Sequence, residues 1–163
     1  MKSLRPRLFH LVLLIFLIAA DQYTKVLAVS ALKDGRSIPL IKGVLEFMYI
    51  ENRGAAFGIF QNGTVILSVI SALAIILFCV FYRRIPADRK YRPLQIILVF
   101  LTAGAAGNLI DRIMLHYVRD FIYFSLINFP VFNVADIYVT VSVFILIILV
   151  LFVYKEQDLD KIL

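Results

Sequence analysis

The sequence predicts a membrane all-α fold, a bundle of four transmembrane helices with a small extracytoplasmic β-sheet between helices 1 and 2. Two observations lead to this fold class. Apolar residues make up 62% of the 163 residues and charged residues only 17%, whereas soluble domains are about half apolar and about a quarter charged. Four stretches are also apolar enough to cross a bilayer, which takes roughly 20 residues of helix. The length predicts a single domain, residues 1–163.

The four apolar stretches define the predicted helices, at about residues 8–29, 65–82, 94–115 and 135–154. The first resembles a secretory signal, but its polar end, "DQYTK", indicates that it is retained. The segment at about residues 37–60 is rich in β-branched and aromatic residues and predicts two or three short strands, with a turn at Lys42-Gly43.

The basic residues predict the orientation of the bundle. The loop "RRIPADRKYRP", between the second and third helices, holds five basic residues in eleven, and the N-terminal and C-terminal tails add three and two more. Short basic loops stay in the cytoplasm, so both termini are expected there. The net charge of +6 then reflects topology and contact with anionic membrane lipids, and no nucleic-acid partner is expected.

Cysteine and histidine give no sign of a metal or cofactor site. Cys79 is the only cysteine, which excludes an intramolecular disulfide. His10 and His116 are far apart in the sequence, without ligand spacing. We therefore expect neither a metal nor a cofactor.

Polar residues inside the apolar segments gather at one end of the predicted bundle. Hydrocarbon offers no hydrogen-bond partner, so such residues usually mark function. They end the first and third helices and open the fourth, with one acid in the outer loop between the last two. The set is Asp21, Gln22, Thr24, Lys25, Asn108, Asp111, Arg112, Asp120, Asn133 and Asp136.

Each of these residues also has a structural interpretation. Asn133 followed by Asp136 is close to a capping box. Asp111 beside Arg112 could form an ion pair, and Asp21 with Lys25 is an i,i+4 pair. Asp111 and Arg112 lie three and four residues after Asn108, so one face of the third helix can carry all three residues. The small residues of "AGAAGN" predict that this face packs against the first and fourth helices.

Convergence of the acids at one depth favours a functional site, and three kinds of function compete. Two carboxylates could hydrolyse a peptide bond. Acids within a membrane also serve small proton-coupled transporters, although transporter sites lie near the midplane, usually between repeats, and no repeat is visible here. A noncatalytic assembly or lipid-binding protein would explain the predicted strands but not the acids.

Five motifs, in this order along nearly the whole chain, carry a resemblance to a known family. They are "DQYTK", "NRGAAFG", "GNLIDR", "VRDF" and "FNVAD". The chain resembles the bacterial lipoprotein signal peptidases, also called signal peptidase II. The resemblance implies an aspartic endopeptidase of the bacterial cytoplasmic membrane, active near its outer face. It would remove the signal peptide from diacylglyceryl-modified prolipoproteins, cutting before the lipid-modified cysteine. Its partners would be these signal peptides and membrane lipids, and a monomer is expected.

The resemblance also implies roles for particular residues. The catalytic pair would be Asp120 and Asp136. The supporting or substrate-binding positions would be Asp21, Asn52, Arg53, Gly54, Asn108, Asp111, Arg112 and Asn133. Arg119 departs from the family pattern, where a valine is common. We expect its side chain to face away from the pair, because a guanidinium there would favour ionisation of Asp120.

The order of protonation follows from the chemistry of two nearby acids. Like charges close together cannot both ionise cheaply, so one acid holds a proton. The start of a helix favours a negative charge. We therefore expect Asp136 to be the more anionic acid at rest and Asp120 more often to hold the proton.

Overall fold

A computed structural model describes residues 4–54 and 63–162 of the chain. Within these residues, four helices are long and apolar enough to cross a membrane, which confirms the predicted fold class. The long helices are α1 (Leu4–Leu32), α2 (Thr64–Arg84), α3 (Arg92–Leu115) and α4 (Val134–Ile148), which continues as a π-helical turn, Leu149–Val153. A short α5 (Glu156–Leu159) follows. The predicted bounds differ from these by a few residues at most.

The central helix of the bundle is α3, against which α1, α2 and α4 all pack. Two glycines on α3 make close approach possible. A Cβ added to Gly104 would lie 2.6 Å from the carbonyl oxygen of Ala135 on α4. A Cβ added to Gly107 would collide with the carboxylate of Asp21 on α1. The predicted packing of this small-residue face against the first and fourth helices is therefore confirmed.

A three-stranded antiparallel sheet lies beside the bundle. Its strands are β1 (Ser37–Ile41), β2 (Leu45–Asn52) and β3 (Val118–Tyr123), in the order β1-β2-β3. The turn between β1 and β2 lies where predicted, and Gly43 adopts a positive φ of 73° that favours glycine. The predicted strand residues 55–60, which include part of "NRGAAFG", lie outside the described residues.

The third strand corrects the prediction that the sheet belongs only to the segment between helices 1 and 2. Residues 118–123 were expected to form an outer loop, but they pair with β2, with Ile50 opposite Asp120. Six residues that include two charges give little strand signal alone. The conformation comes from pairing with a segment distant in sequence, which local patterns cannot reveal. The sheet thus carries one of the two expected catalytic acids.

The sheet is attached to the bundle by a small apolar cluster. Phe121 of β3 packs with Ala28 and Leu32 near the end of α1. Next to it, Asp120 and Arg119 point to opposite faces of the strand, as successive strand residues must. This packing fixes β3 against α1 and sets the direction of both charged side chains.

We predict that Gly104→Ala lowers the stability of the protein. Its methyl group would meet backbone atoms of α4 that cannot move without separating the helices, at a cost of roughly 1–3 kcal/mol. The better helix propensity of alanine offsets at most about 1 kcal/mol. Thermal unfolding in detergent, followed by circular dichroism, measures the difference. Ala31→Ser, which adds one heavy atom at an exposed position of α1, is the control. Equal melting temperatures for the two variants would contradict this account of the packing.

Candidate active site

Two carboxylates from different elements lie beside one groove of the bundle. Asp120 lies on β3 and is only 2% exposed. Asp136 is the third residue of α4 and is half-buried. Both line a groove of about 580 Å³ that runs between α2 and α4 over the surface of α3. The two acids share this groove although they come from different kinds of element.

Asn133 connects the two acids directly. Its side-chain amide donates to Oδ1 of Asp120 over 2.6 Å. Its side-chain oxygen accepts from the backbone N–H of Asp136 at 3.1 Å, and its own N–H donates to Oδ2 of Asp136 at 3.0 Å. The last two bonds form the predicted capping box at the start of α4. The structural interpretation of this motif is therefore confirmed, and the cap itself also contacts Asp120.

Two further asparagines hold one acid each. Asn108 of α3 donates to Oδ1 of Asp136 at 2.8 Å, and Asn52 of β2 donates to Oδ2 of Asp120 at 2.9 Å. Asn52 is held in turn, because its side-chain oxygen accepts from the N–H of Gly54 at 3.0 Å. Every carboxylate oxygen of the pair thus accepts a hydrogen bond from a neighbouring amide.

The environment of Asp120 favours its neutral form. Burial away from water raises the pKa of this carboxyl to about 7, and repulsion by Asp136 acts in the same direction. The hydrogen bonds from Asn52 and Asn133 lower the pKa but only partly compensate. Asp120 is therefore poised to gain or lose a proton near neutral pH, as acid–base catalysis requires.

Behind the pair lies a buried ion cluster centred on Lys25, whose side chain is completely buried. Its ammonium group lies 2.9 Å from Oδ2 of Asp21 and 3.5 Å from Oδ2 of Asp111. It also donates to Oδ1 of Asn108 at 2.9 Å. The other oxygen of Asp21 accepts from the backbone N–H of Ala135 at 3.0 Å. The cluster therefore joins α1, α3 and the first turn of α4.

Arg119 belongs to this cluster and not to the groove. Its guanidinium donates to both oxygens of Asp111, at 2.6 and 3.1 Å, and to the side-chain oxygen of Gln22 at 2.8 Å. The bonds to Asp111 raise the pKa of the guanidinium above its usual value. The side chain faces away from Asp120, as expected, so this departure from the family pattern does not place a cation on the acid pair.

The structural interpretation that pairs Asp111 with Arg112 is wrong, and Arg53 does not line the groove. Asp111 pairs with Lys25 and Arg119 instead of Arg112. Arg112 lines the groove, where its guanidinium donates to the carbonyl of Asn108 at 3.5 Å. Adjacent helix residues such as Asp111 and Arg112 point about 100° apart. Asn108, Asp111 and Arg112 therefore do not all point in one direction. The side chain of Arg53 is 64% exposed, and its guanidinium lies 3.6 Å from the carboxylate of Glu51.

Sequence reasoning placed Lys25 only as a partner of Asp21 and left Gln22 and Arg119 without a supporting role. One signal could have found Lys25. Buried carboxylates need a cation, and Arg112 cannot serve both Asp111 and the groove. The contact between Gln22 and Arg119 depends on the pairing of β3 with β2, and no pattern local in the sequence indicates that pairing.

Two carboxylates beside one groove of a four-helix membrane bundle, one from a strand and one from a helix, are the arrangement expected of a membrane-embedded protease of the aspartic type. Comparison with known proteins specifies the family. The sequence model of the family described as signal peptidase (SPase) II matches residues 13–152. The chain belongs to the signal peptidase II family.

Curated relatives and solved structures agree with this membership. The chain is 43% identical to a lipoprotein signal peptidase of Clostridium novyi (strain NT), over 87% of this chain and 97% of the relative. It is 39% identical to one of Clostridioides difficile (strain 630), over 89% and 96%. A solved structure described as a bacterial membrane enzyme at 1.9 Å resolution superposes with a TM-score of 0.77 and 31% identity, over 90% of this chain and 94% of that one. The transporter alternative has no support among these relatives.

We predict that Lys25→Met destabilises the protein strongly. Removal of the ammonium group leaves the buried carboxylates of Asp21 and Asp111 without this cation, which typically costs roughly 3–5 kcal/mol. Unfolding in detergent, monitored by circular dichroism, measures the effect. Lys33→Met makes the same substitution at an exposed position and should leave stability almost unchanged. A Lys25→Met protein that unfolds like the control would show that the cluster does not hold the helices together.

Proposed function

We propose that this chain removes signal peptides from prolipoproteins by cutting before a diacylglyceryl-modified cysteine, with Asp120 and Asp136 as the catalytic pair. One observation carries the assignment of the residues. The two carboxylates, one on β3 and one in the first turn of α4, are joined through Asn133 at the end of a membrane groove. The curated relatives, named lipoprotein signal peptidases, support the class of substrate.

The surroundings of the two acids support different roles for them. Asp136 lies in the first turn of α4, where the helix terminus favours negative charge, and it accepts two N–H bonds. Asp120 is almost completely buried, and its pKa is raised to about 7. In our proposal, Asp136 is the anionic base at rest and Asp120 holds the proton.

The reaction then follows the general chemistry of paired carboxylates. Asp136 takes a proton from a water molecule, whose oxygen attacks the carbonyl carbon of the scissile bond. Asp120 gives its proton to the carbonyl oxygen. Collapse of the tetrahedral intermediate breaks the C–N bond, and the departing amine receives the proton from Asp136. Asp120 takes a proton from one hydroxyl group of the intermediate as the new carbonyl forms, so both acids return to their starting state.

The neighbouring polar residues would position these groups and the substrate. Asn52, Asn108 and Asn133 orient the carboxylates through the hydrogen bonds already described. Arg112 lines the groove and, among the described residues, forms no ion pair within 4.0 Å. Its guanidinium can therefore bind a carbonyl of the substrate backbone. Asp21 and Asp111 act indirectly, through the ion cluster.

The membrane setting extends the proposal. We place the enzyme in the bacterial cytoplasmic membrane as a monomer, with both termini in the cytoplasm and the acid pair near the outer face. The excess of basic residues in the loop between α2 and α3, and in the N-terminal tail, supports this orientation. Water can enter near the outer face, and the acyl chains of the substrate stay in the surrounding lipid.

We expect Asp120→Asn and Asp136→Asn each to abolish cleavage, a loss of at least about a thousandfold, because neither acid can replace the other. Purified protein in detergent is given a diacylglyceryl-modified prolipoprotein peptide, and the product is identified by mass spectrometry. Asp111→Asn should reduce the rate less, since this residue acts through the cluster. Asp160→Asn, an exposed acid of the C-terminal tail, should cleave like the wild type.

The possible outcomes distinguish an error in the assigned catalytic residues from an error in the proposed cleavage site. Normal cleavage by a folded Asp120→Asn or Asp136→Asn protein means that the catalytic pair is wrong. If folded wild-type protein cleaves the lipidated peptide at another bond, the proposed position of the cut is wrong. Circular dichroism of each variant establishes that it is folded.

The pH dependence of cleavage tests the order of protonation. Asp120 must be protonated, so the rate should fall as pH rises through about 7, approaching tenfold per pH unit at higher pH. The amide of Asn52 stabilises the ionised form of Asp120, so Asn52→Ala should raise the pKa and move this limb to higher pH. Asn128→Ala, in the exposed loop after β3, should leave the limb in place. A shift to lower pH in Asn52→Ala would assign the proton to another group.

A further inference from the structure

A second groove lies at the opposite end of the bundle from the acid pair. It has a volume of about 540 Å³ and lies between α1 and α2, over the first half of α3. We call it the arginine groove. Its lining residues are Arg7, His10, Leu11, Leu14, Phe78, Cys79, Tyr82, Arg83, Leu98, Val99 and Thr102. Two arginines line it, but most of its wall is apolar.

The groove exists because α1 and α2 both pack on α3 and contact each other little. One polar contact joins them here. Nδ1 of His10 and the hydroxyl of Tyr82 lie 2.7 Å apart. The hydroxyl of Thr102 donates to the carbonyl of Leu98 at 2.6 Å. The polar groups of the wall are thus engaged with one another, which leaves the arginines as the charged groups for a ligand.

The two arginines make the groove suitable for an anion. Arg7 and Arg83 are exposed, and among the described residues neither has a carboxylate partner within 4.0 Å. Arg7 lies one turn before Leu11 on α1, and Arg83 is next to the end of α2. Both guanidiniums therefore lie towards the end of the bundle, where lipid headgroups meet water. Guanidinium groups bind phosphate oxygens well because they can donate two parallel hydrogen bonds.

We propose that the arginine groove binds one anionic phospholipid. The phosphate group would lie between Arg7 and Arg83, and an acyl chain would follow the apolar wall formed by Leu14, Phe78 and Val99. Basic pockets between membrane helices are suited to such headgroups. A second signal peptide is a poorer occupant, because signal peptides begin with basic residues, which the two arginines would repel. The lipid site is separate from the acid pair, so its test is independent of the proposed catalytic residues.

The chain offers a direct test because it contains no tryptophan. Leu14→Trp places a single fluorophore in the groove, and Phe144→Trp places one on the exposed surface of α4, where Phe144 is 65% exposed. Each protein is reconstituted into phosphatidylcholine vesicles with increasing fractions of brominated phosphatidylglycerol or brominated phosphatidylcholine, which quench tryptophan. The quenching curves give the affinity of each position for phosphatidylglycerol relative to phosphatidylcholine.

We expect Leu14→Trp to prefer phosphatidylglycerol by about fivefold for each arginine that contributes. Phe144→Trp should report a ratio close to one. Adding Arg7→Gln and Arg83→Gln to Leu14→Trp should bring its ratio close to one as well. Arg89→Gln removes an exposed charge from the loop between α2 and α3, outside the groove, and should leave the preference intact.

Two results would overturn the proposal. One is an equal ratio at the two tryptophan positions, and the other is an equal loss of preference with Arg89→Gln and with the groove variants. Native mass spectrometry of the protein with its original Leu14 covers the case in which tryptophan itself fills the groove. Retention of phosphatidylglycerol over phosphatidylcholine that disappears in Arg7→Gln/Arg83→Gln supports the site, and no such retention in the wild type rejects it.

Discussion

The buried ammonium group of Lys25 is the interaction on which the rest of the site depends. A charge within a membrane protein is costly unless it is paired and hydrogen-bonded, and Lys25 meets this requirement with groups from two helices. It contacts Asp21 on its own helix and Asp111 and Asn108 on α3. Asp21 also accepts from the backbone of α4, and Asn108 donates to Asp136. One cation thus fixes the relative positions of three helices at the level of the acid pair.

The same network explains how two acids of one kind differ in their surroundings. Asp136 is held at a helix terminus, whereas Asp120 comes from a strand packed against α1. Asn133 contacts both acids with different atoms, so a shift of α4 relative to β3 would break its bond to Asp120, whereas its cap bonds to Asp136 would move with α4. The first turn of α4 therefore determines both the positions of the two carboxylates and the difference in their surroundings. Asn133 at that point both caps α4 and holds the carboxylate of Asp120.

Patterns local in sequence predicted most of the fold, and features that depend on pairing between distant segments were missed. The length of the apolar stretches identified the helices, because a bilayer sets a minimum span. Asn133 followed by Asp136 indicated the start of α4. The strand that carries Asp120 was not visible, because its partner is β2 and its own residues are mixed in character. The pattern of polar residues and the family motifs both singled out Asp120, but neither predicted that it lies on a strand. The turn of Arg119 towards Asp111 follows from strand alternation, which becomes predictable only once the strand is known.

Helix α2 lines both grooves and takes no part in the hydrogen-bond network of the two acids. None of its residues is buried, and its Phe78 lines both the groove of the acid pair and the arginine groove. The polar network lies on α1, α3, α4 and β3, so α2 can face lipid or ligand on both sides without disturbing the acids. Substitutions on α2 should therefore change which apolar chains the grooves accept, while the geometry of Asp120 and Asp136 stays fixed by the helices that carry the buried charges. If the proposed roles hold, selection of apolar ligands and positioning of the reacting groups fall to different helices of the bundle.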